Sequence, residues 1–228
     1  MPEIHLYYAP GACSLVSHIA LEEAELRFIP HALAFMAGEH RAPGYLAINP
    51  AGKVPTLVVN GRPLVETLAI LSWIDQSVPE AMILPKPKDP FDKVQDLSVV
   101  YWFAATVHPV FTRFRVPPAI IDDPASFQRV AGRAAPVLAN CFEIAAARLD
   151  ARDWLLGEWS IADAYLFWLW TEALAGGFDG ACFPTLITHA QRFATRPATQ
   201  RAVAREAVAA AEFVQRGVAM PANQGRQA

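Results

Sequence analysis

The sequence predicts two folded parts: an α/β domain in the order βαβ then ββα over residues 1–78, and an all-helical domain over 91–228, joined by a linker at 79–90. Three observations carry this. Short apolar runs of strand type alternate with helix-spaced runs as far as residue 78. Four prolines fall within the twelve positions from Pro79 to Pro90, which makes a stiff, extended connector. Beyond it only long segments of helical spacing recur, at about 91–107, 125–149, 160–174, 185–195 and 199–213.

The first strand is Ile4-His5-Leu6-Tyr7-Tyr8, and it breaks at Pro10-Gly11. Leu15 to Leu26 is apolar at 15, 16, 19, 20, 24 and 26 with Glu22, Glu23 and Glu25 interleaved, which predicts an amphipathic helix. Phe28 to Leu33 reads as an edge strand, since Pro30 has no N–H for a central ladder. Met36 to Pro50, with Gly38, Pro43, Gly44 and Asn49-Pro50, reads as loop with a short helix. Val54 to Val59 and Pro63 to Glu66 flank Asn60-Gly61, a dipeptide that supplies two positive φ angles, and predict a hairpin. Thr67 then caps a helix whose stripe is Leu68, Ile70, Leu71, Ile74 and Val78.

In the second part, Val116-Pro117-Pro118, Asp122-Asp123-Pro124 and Gly176-Gly177 mark breaks. Ser160-Ile161-Ala162-Asp163 is a capping-box start for a helix apolar on nearly all sides through Trp170, which belongs in the middle of a bundle. The tail after Arg216 is short of apolar residues and is expected to be mobile.

Composition narrows the function classes. Of 228 residues, 54% are apolar and 18% charged, against roughly 45–50% and 25% in an average soluble chain, so a homodimer that buries extra surface is expected. No uncharged apolar stretch reaches the roughly 18 residues of a membrane span, and Met1-Pro2-Glu3 opens no leader pattern, so a cytoplasmic protein is expected. A net charge of −3 with scattered basic residues gives no footprint for nucleic acid. Three widely spaced cysteines, Cys13, Cys141 and Cys182, suggest reduced thiols with neither a disulfide framework nor a metal site.

The chemistry is expected where the first strand meets the first helix. A thiol is a nucleophile as thiolate, and unpaired N–H groups at a helix start lower a cysteine pKa from its free value of about 8.5. Cys13 sits at that junction, where the same groups would polarise a ligand thiolate; the alternative is a small buried hydrophobe. Ser14 is either a helix cap or a hydrogen-bond donor, and Glu66-Thr67 either an ordinary cap or an anion site. His108, among Val107, Val110 and Phe111, is either half-buried packing or a proton-sharing group that titrates near neutrality.

Four motifs in order, Tyr-Tyr-x-Pro-Gly-Ala-Cys-Ser from Tyr7, Asn-Pro-x-Gly-x-Val-Pro-x-Leu from Asn49, a hairpin ending in Glu66-Thr67 and Ser-Ile-Ala-Asp-Ala-Tyr from Ser160, resemble the cytosolic glutathione S-transferases, most closely the bacterial beta class. The resemblance spans about Ile4 to Pro197. It implies a thioredoxin-like N-terminal domain that binds glutathione as co-substrate, an all-α domain with an apolar electrophile pocket, and a homodimer. By position it implies that Cys13, Ser14 and His108 are catalytic. It implies that glutathione is held by Cys13, Val54, Pro55 in a cis bond, Glu66, Thr67 and His108, with Phe111, Phe114 and Trp168 as candidate walls for the electrophile. Tyr8 reads as packing.

Two departures stand out: Pro109 directly after His108 should kink the helix, and Tyr101 replaces an asparagine that can reach glutathione across the dimer. The expected reaction is attack of the glutathione sulfur on an electrophilic carbon. The alternatives are a monothiol disulfide reductase working through Cys13, since Val16 excludes a C-x-x-C pair, and a non-catalytic ligand carrier or scaffold.

Overall fold

The computed structural model describes residues 2–218, and these divide into two compact units: residues 2–84 with 195–218, and residues 85–194. The tail after Arg216, expected to be mobile, lies from residue 219 on outside the described residues.

The first unit opens with β1 (Ile4–Tyr8), α1 (Ser14–Glu23), β2 (Ile29–Ala32), the one-turn α2 (Pro43–Leu46), β3 (Thr56–Val59), β4 (Arg62–Val65) and α3 (Thr67–Ser77). The strands form a mixed sheet in the order β2-β1-β3-β4, with β1 parallel to β2 and the other two pairings antiparallel. This is the βαβ then ββα arrangement of a thioredoxin-like domain. Pro30 and Pro63 both lie on edge strands, the positions where a missing N–H costs no central ladder bond. Alternation along β1 buries Ile4, Leu6 and Tyr8 while His5 and Tyr7 stay half-exposed. Asn60 and Gly61 have φ of 50° and 76°, as the hairpin dipeptide predicts.

The second unit contains α4 (Pro90–Trp102), a π-helical stretch (Phe103–Val107), α5 (His108–Arg115), α6 (Phe127–Arg148), α7 (Ile161–Ala175) and α8 (Pro184–Ala194). The kink expected at Pro109 takes the form of that π stretch just before it. A wider turn relieves the clash of the proline ring with the carbonyl a turn back, so the helical path continues to Arg115 instead of stopping near 107. Around α7 the prediction is met. Asp163 accepts N–H bonds from Ser160 and Leu155, both at 3.0 Å, and everything from Ile161 to Trp170 is buried.

The last helix, α9 (Pro197–Gln215), which the sequence groups with the helical domain, belongs to the first unit. Its presence corrects the expectation of an amphipathic α1. Every residue of α1 from Ser14 to Glu22 is buried, because α9 packs against the helix on the side away from the sheet. Glu22 and Glu23, which read as a solvated face, instead receive Arg201 at 2.6 Å and Arg205 at 3.1 Å from α9 and Arg196, its N-cap, at 2.7 Å. Among the described residues no helix is long and apolar enough to cross a membrane.

Candidate active site

The site begins with a turn. After β1, Ala12 N–H donates to the Ala9 carbonyl at 3.1 Å across Pro10 and Gly11, and Gly11 has φ of 76°. Proline fixes φ for the first central position and glycine supplies the left-handed second one, the type II pattern. The turn delivers Cys13 to the N-cap of α1 in a right-handed conformation. Ser14, fully buried, accepts from Ala9 N–H at 3.1 Å and donates to the Ala9 carbonyl at 3.2 Å. Its hydroxyl therefore laces the turn shut, which corrects the expectation that it donates to a sulfur: it points back to the strand end instead of out of the helix start.

Cys13 is half-buried and its thiol donates to the Val54 carbonyl at 3.3 Å. Burial pushes the thiol up to about 12, the charges of Glu206 and Glu66 push the same way, and the local backbone N–H and Lys53 only partly oppose them. The expected helix-start thiolate is thus overruled by desolvation. Burial therefore favours the neutral S–H form of Cys13, which is the form that donates to the Val54 carbonyl.

The Val54 backbone is presented by a buried polar brace. The Val54–Pro55 bond is cis. Asn49 Nδ2 donates to the Lys53 carbonyl at 2.8 Å and to Thr56 Oγ1 at 2.9 Å, and the Tyr45 hydroxyl bonds the same two atoms. Ala51 N–H returns to Asn49 Oδ1 at 3.1 Å. Gly52 has φ of +59°, and a Cβ there would lie 2.8 Å from the His40 carbonyl, so only glycine fits. At the far end of the hairpin, exposed Glu66 has φ of 70° and accepts from Ile70 N–H at 3.0 Å, which makes it the N-cap of α3, with Thr67 as the first helical residue. The first N–H groups of α3 have no acceptor within the helix and can face an anion.

The structure thus brings Cys13, Val54 and Pro55 into one cluster, with Glu66 and Lys53 within electrostatic reach of the thiol. His108 belongs to the second unit, half-buried at the start of α5 with its ring edge-on to Trp168 at 4.8 Å. Phe111 and Trp168 are core residues in contact with each other at 5.1 Å, and Phe114 packs on Phe178. Tyr101 is exposed on α4. Tyr8 is core, buried against His18, as expected.

Several contributors escaped the sequence reading. Asn49 and Gly52 stood in the quoted motif without a role, and Tyr45 and Lys53 carry no local signal. Glu206 carried one. It falls on the buried stripe of α9 with Ala198, Thr199, Ala202, Ala209 and Phe213, an acid on a mostly apolar face. Its Oε2 accepts from Gly11 N–H at 3.0 Å.

Comparison with known proteins adds to this geometry. The family model for the glutathione S-transferase N-terminal domain matches residues 2–76. Glutathione S-transferase GstA of Escherichia coli O157:H7 is 31% identical over 206 residues, 88% of this chain and 98% of that protein. Maleylacetoacetate isomerase of Pseudomonas aeruginosa is 32% identical over 93 residues, 40% of this chain and 43% of that one. A glutathione transferase homologue from Sulfitobacter, solved with bound glutathione, is similar with a TM-score of 0.78 at 28% identity, covering 96% of this chain and all of that one. A beta-class enzyme of Sphingomonas chungbukensis gives a TM-score of 0.77 at 27% identity over 89% of this chain and 98% of that one. With a thioredoxin-like sheet carrying the Cys13 turn beside a cis proline, and 31% identity to GstA over 98% of that protein's length, the chain belongs to the glutathione S-transferase family.

Proposed function

We propose that this protein is a glutathione transferase of the beta class that conjugates the glutathione sulfur to electrophilic carbons of apolar small molecules. The observation that carries this reading is the Cys13 thiol, kept protonated by burial and directed at 3.3 Å onto the Val54 carbonyl. A neutral S–H beside a ligand thiolate donates a hydrogen bond to it and favours its ionised form, whereas a reductase would need Cys13 itself as the thiolate. The cysteinyl backbone of glutathione pairs with Val54 ahead of Pro55. The γ-glutamyl carboxylate meets the start of α3 at Thr67, and Glu66 takes the γ-glutamyl ammonium. Lys53, exposed beside Val54, is suited to the glycyl carboxylate.

The remaining catalytic contribution is assigned, on the resemblance alone, to His108 as a proton-sharing group for the sulfur. Phe91, Val94 and Tyr101, exposed along α4 at a spacing of three and then seven residues, supply an apolar stripe suited to the expected homodimer.

The partial match to maleylacetoacetate isomerases favours a second reading on the same site, in which the glutathione adduct is released again after rearrangement instead of being kept as product. Both begin with thiolate attack, and product analysis separates them.

The test is glutathione titration calorimetry with conjugation of a chlorodinitrobenzene. Cys13→Ala is expected to lower kcat/KM about tenfold, the worth of one hydrogen bond to a charged sulfur. Thr67→Ala and Glu66→Ala are expected to raise KM for glutathione about tenfold or more. A wild-type protein that binds no glutathione, or a Cys13, His108 double alanine variant with unchanged conjugation, contradicts the proposal.

A further inference from the structure

The turn that carries Cys13 is not held by its own unit's sheet alone. In a type II turn the peptide between the two central residues faces away from the turn's own hydrogen bond, so its N–H needs an outside acceptor. Here that group is Gly11 N–H, and the acceptor is Glu206 Oε2 at 3.0 Å, from a helix 195 residues further along the chain. Glu206 is 6% exposed, and its other oxygen lies 3.6 Å from Nδ1 of the fully buried His18.

We propose that Glu206 is a positioning residue for the Cys13 turn, its carboxyl holding the Gly11 amide and so fixing where the thiol sits over Val54. The inference rests on the reading of Cys13 as the group that meets the glutathione sulfur. Its geometry stands whether or not glutathione binds.

The carboxyl also sets the charge beneath the turn. The groups tied to it are His18 on α1, Tyr8 on β1 and the Cys13 thiol; Arg205 on α9 and Glu22 on α1 act in turn on His18, and Arg201 on α9 binds Glu22. Both arginines are engaged by Glu22 at 2.6 and 3.1 Å. Burial with the nearby Arg205 holds His18 down at about 4, so it is neutral and offers no countercharge. Burial raises Glu206 to about 8, only partly offset by the Gly11 N–H. The carboxyl is therefore mainly protonated at neutral pH, and it places a negative charge under Cys13 only as the pH passes 8, where that charge opposes a thiolate.

The experiment uses the full chain as Glu206→Gln, which keeps an oxygen for Gly11 N–H but carries no charge, and Glu206→Met, which fills the same space without an acceptor. Two readouts need no glutathione: hydrogen exchange of the peptide containing Gly11, and the rate of iodoacetamide alkylation at Cys13 between pH 8 and 11, with Cys141 and Cys182 scored separately by mass spectrometry. Glu206→Gln is expected to keep wild-type exchange at Gly11 and to alkylate about threefold faster at Cys13 near pH 10. Glu206→Met is expected to exchange Gly11 at least tenfold faster. Exchange in Glu206→Met equal to wild type, or a Cys13 profile in Glu206→Gln that superposes on wild type, overturns the proposal. If Glu206→Met does not fold, the Glu206→Gln alkylation profile decides alone. Absence of glutathione binding by the wild type would defeat the proposed function and leave both readouts intact.

Discussion

Gly52 shows how narrowly single residues fix this site. Its φ of +59° and the 2.8 Å approach of the His40 carbonyl leave no room for a side chain, and the next residues are Lys53 and Val54, whose backbone is proposed to meet glutathione. Gly52→Ala is expected to destabilise the protein by about 2–4 kcal/mol, combining positive-φ strain with a backbone clash, as measured by urea unfolding. The motif that contains Gly52 was legible in the sequence, but the reason for the glycine was not, because the clashing carbonyl comes from the 3-10 turn Glu39–Arg41, twelve residues earlier. Cys13 teaches the same lesson with opposite sign. Its place at a helix start could be read from Pro10-Gly11 and the apolar spacing after it, and that local reading predicted a thiolate. Its protonation is decided by burial and by Glu206 and Glu66, distant in sequence.

Among the elements, those encoded locally were read correctly. The Asn60-Gly61 hairpin, the edge position of Pro30, and the Ser160-Asp163 start of α7 each follow from residues within a few positions of one another. Ser160→Ala is expected to cost about 1–2 kcal/mol by removing the cap of a buried helix, checked by thermal unfolding. Asp163→Ala should cost more, at least about 3 kcal/mol, since the carboxylate also receives Leu155 N–H and His189 Nε2 at 2.9 Å, and all these donors would be left buried without it. What could not be read was α1. Its acids mimic a wet face, and their arginine partners arrive on α9 more than 170 residues later. Pro109 was read as a kink, and the structure converts it into a π stretch that keeps α4 and α5 on one path.

Over the whole molecule, the buried pair Glu206 and His18 makes stability depend on pH in a way that can be signed. Glu206 is raised from 4.5 to about 8, so the folded state holds its proton longer than the unfolded chain does. Its contribution is complete below pH 4.5 and is lost as pH rises to 8. His18 is lowered from 6.5 to about 4, so its contribution is present above 6.5 and is lost as pH falls to 4. The two oppose each other between 4.5 and 6.5, and from 6.5 to 8 only the Glu206 decline remains. Wild-type stability should therefore fall over pH 6.5–8 by roughly 1–2 kcal/mol relative to Glu206→Gln, which binds no proton there, measured by denaturant unfolding of both proteins across that range. The central claim concerns this unit's one reacting centre, the place where the glutathione sulfur rests. A crystal structure with glutathione tests it most directly: the account predicts the sulfur within about 3.5 Å of Cys13 Sγ, the cysteinyl backbone paired with Val54 and the γ-glutamyl carboxylate at the start of α3. Glutathione bound with its sulfur turned away from Cys13, or bound elsewhere on the protein, would contradict it.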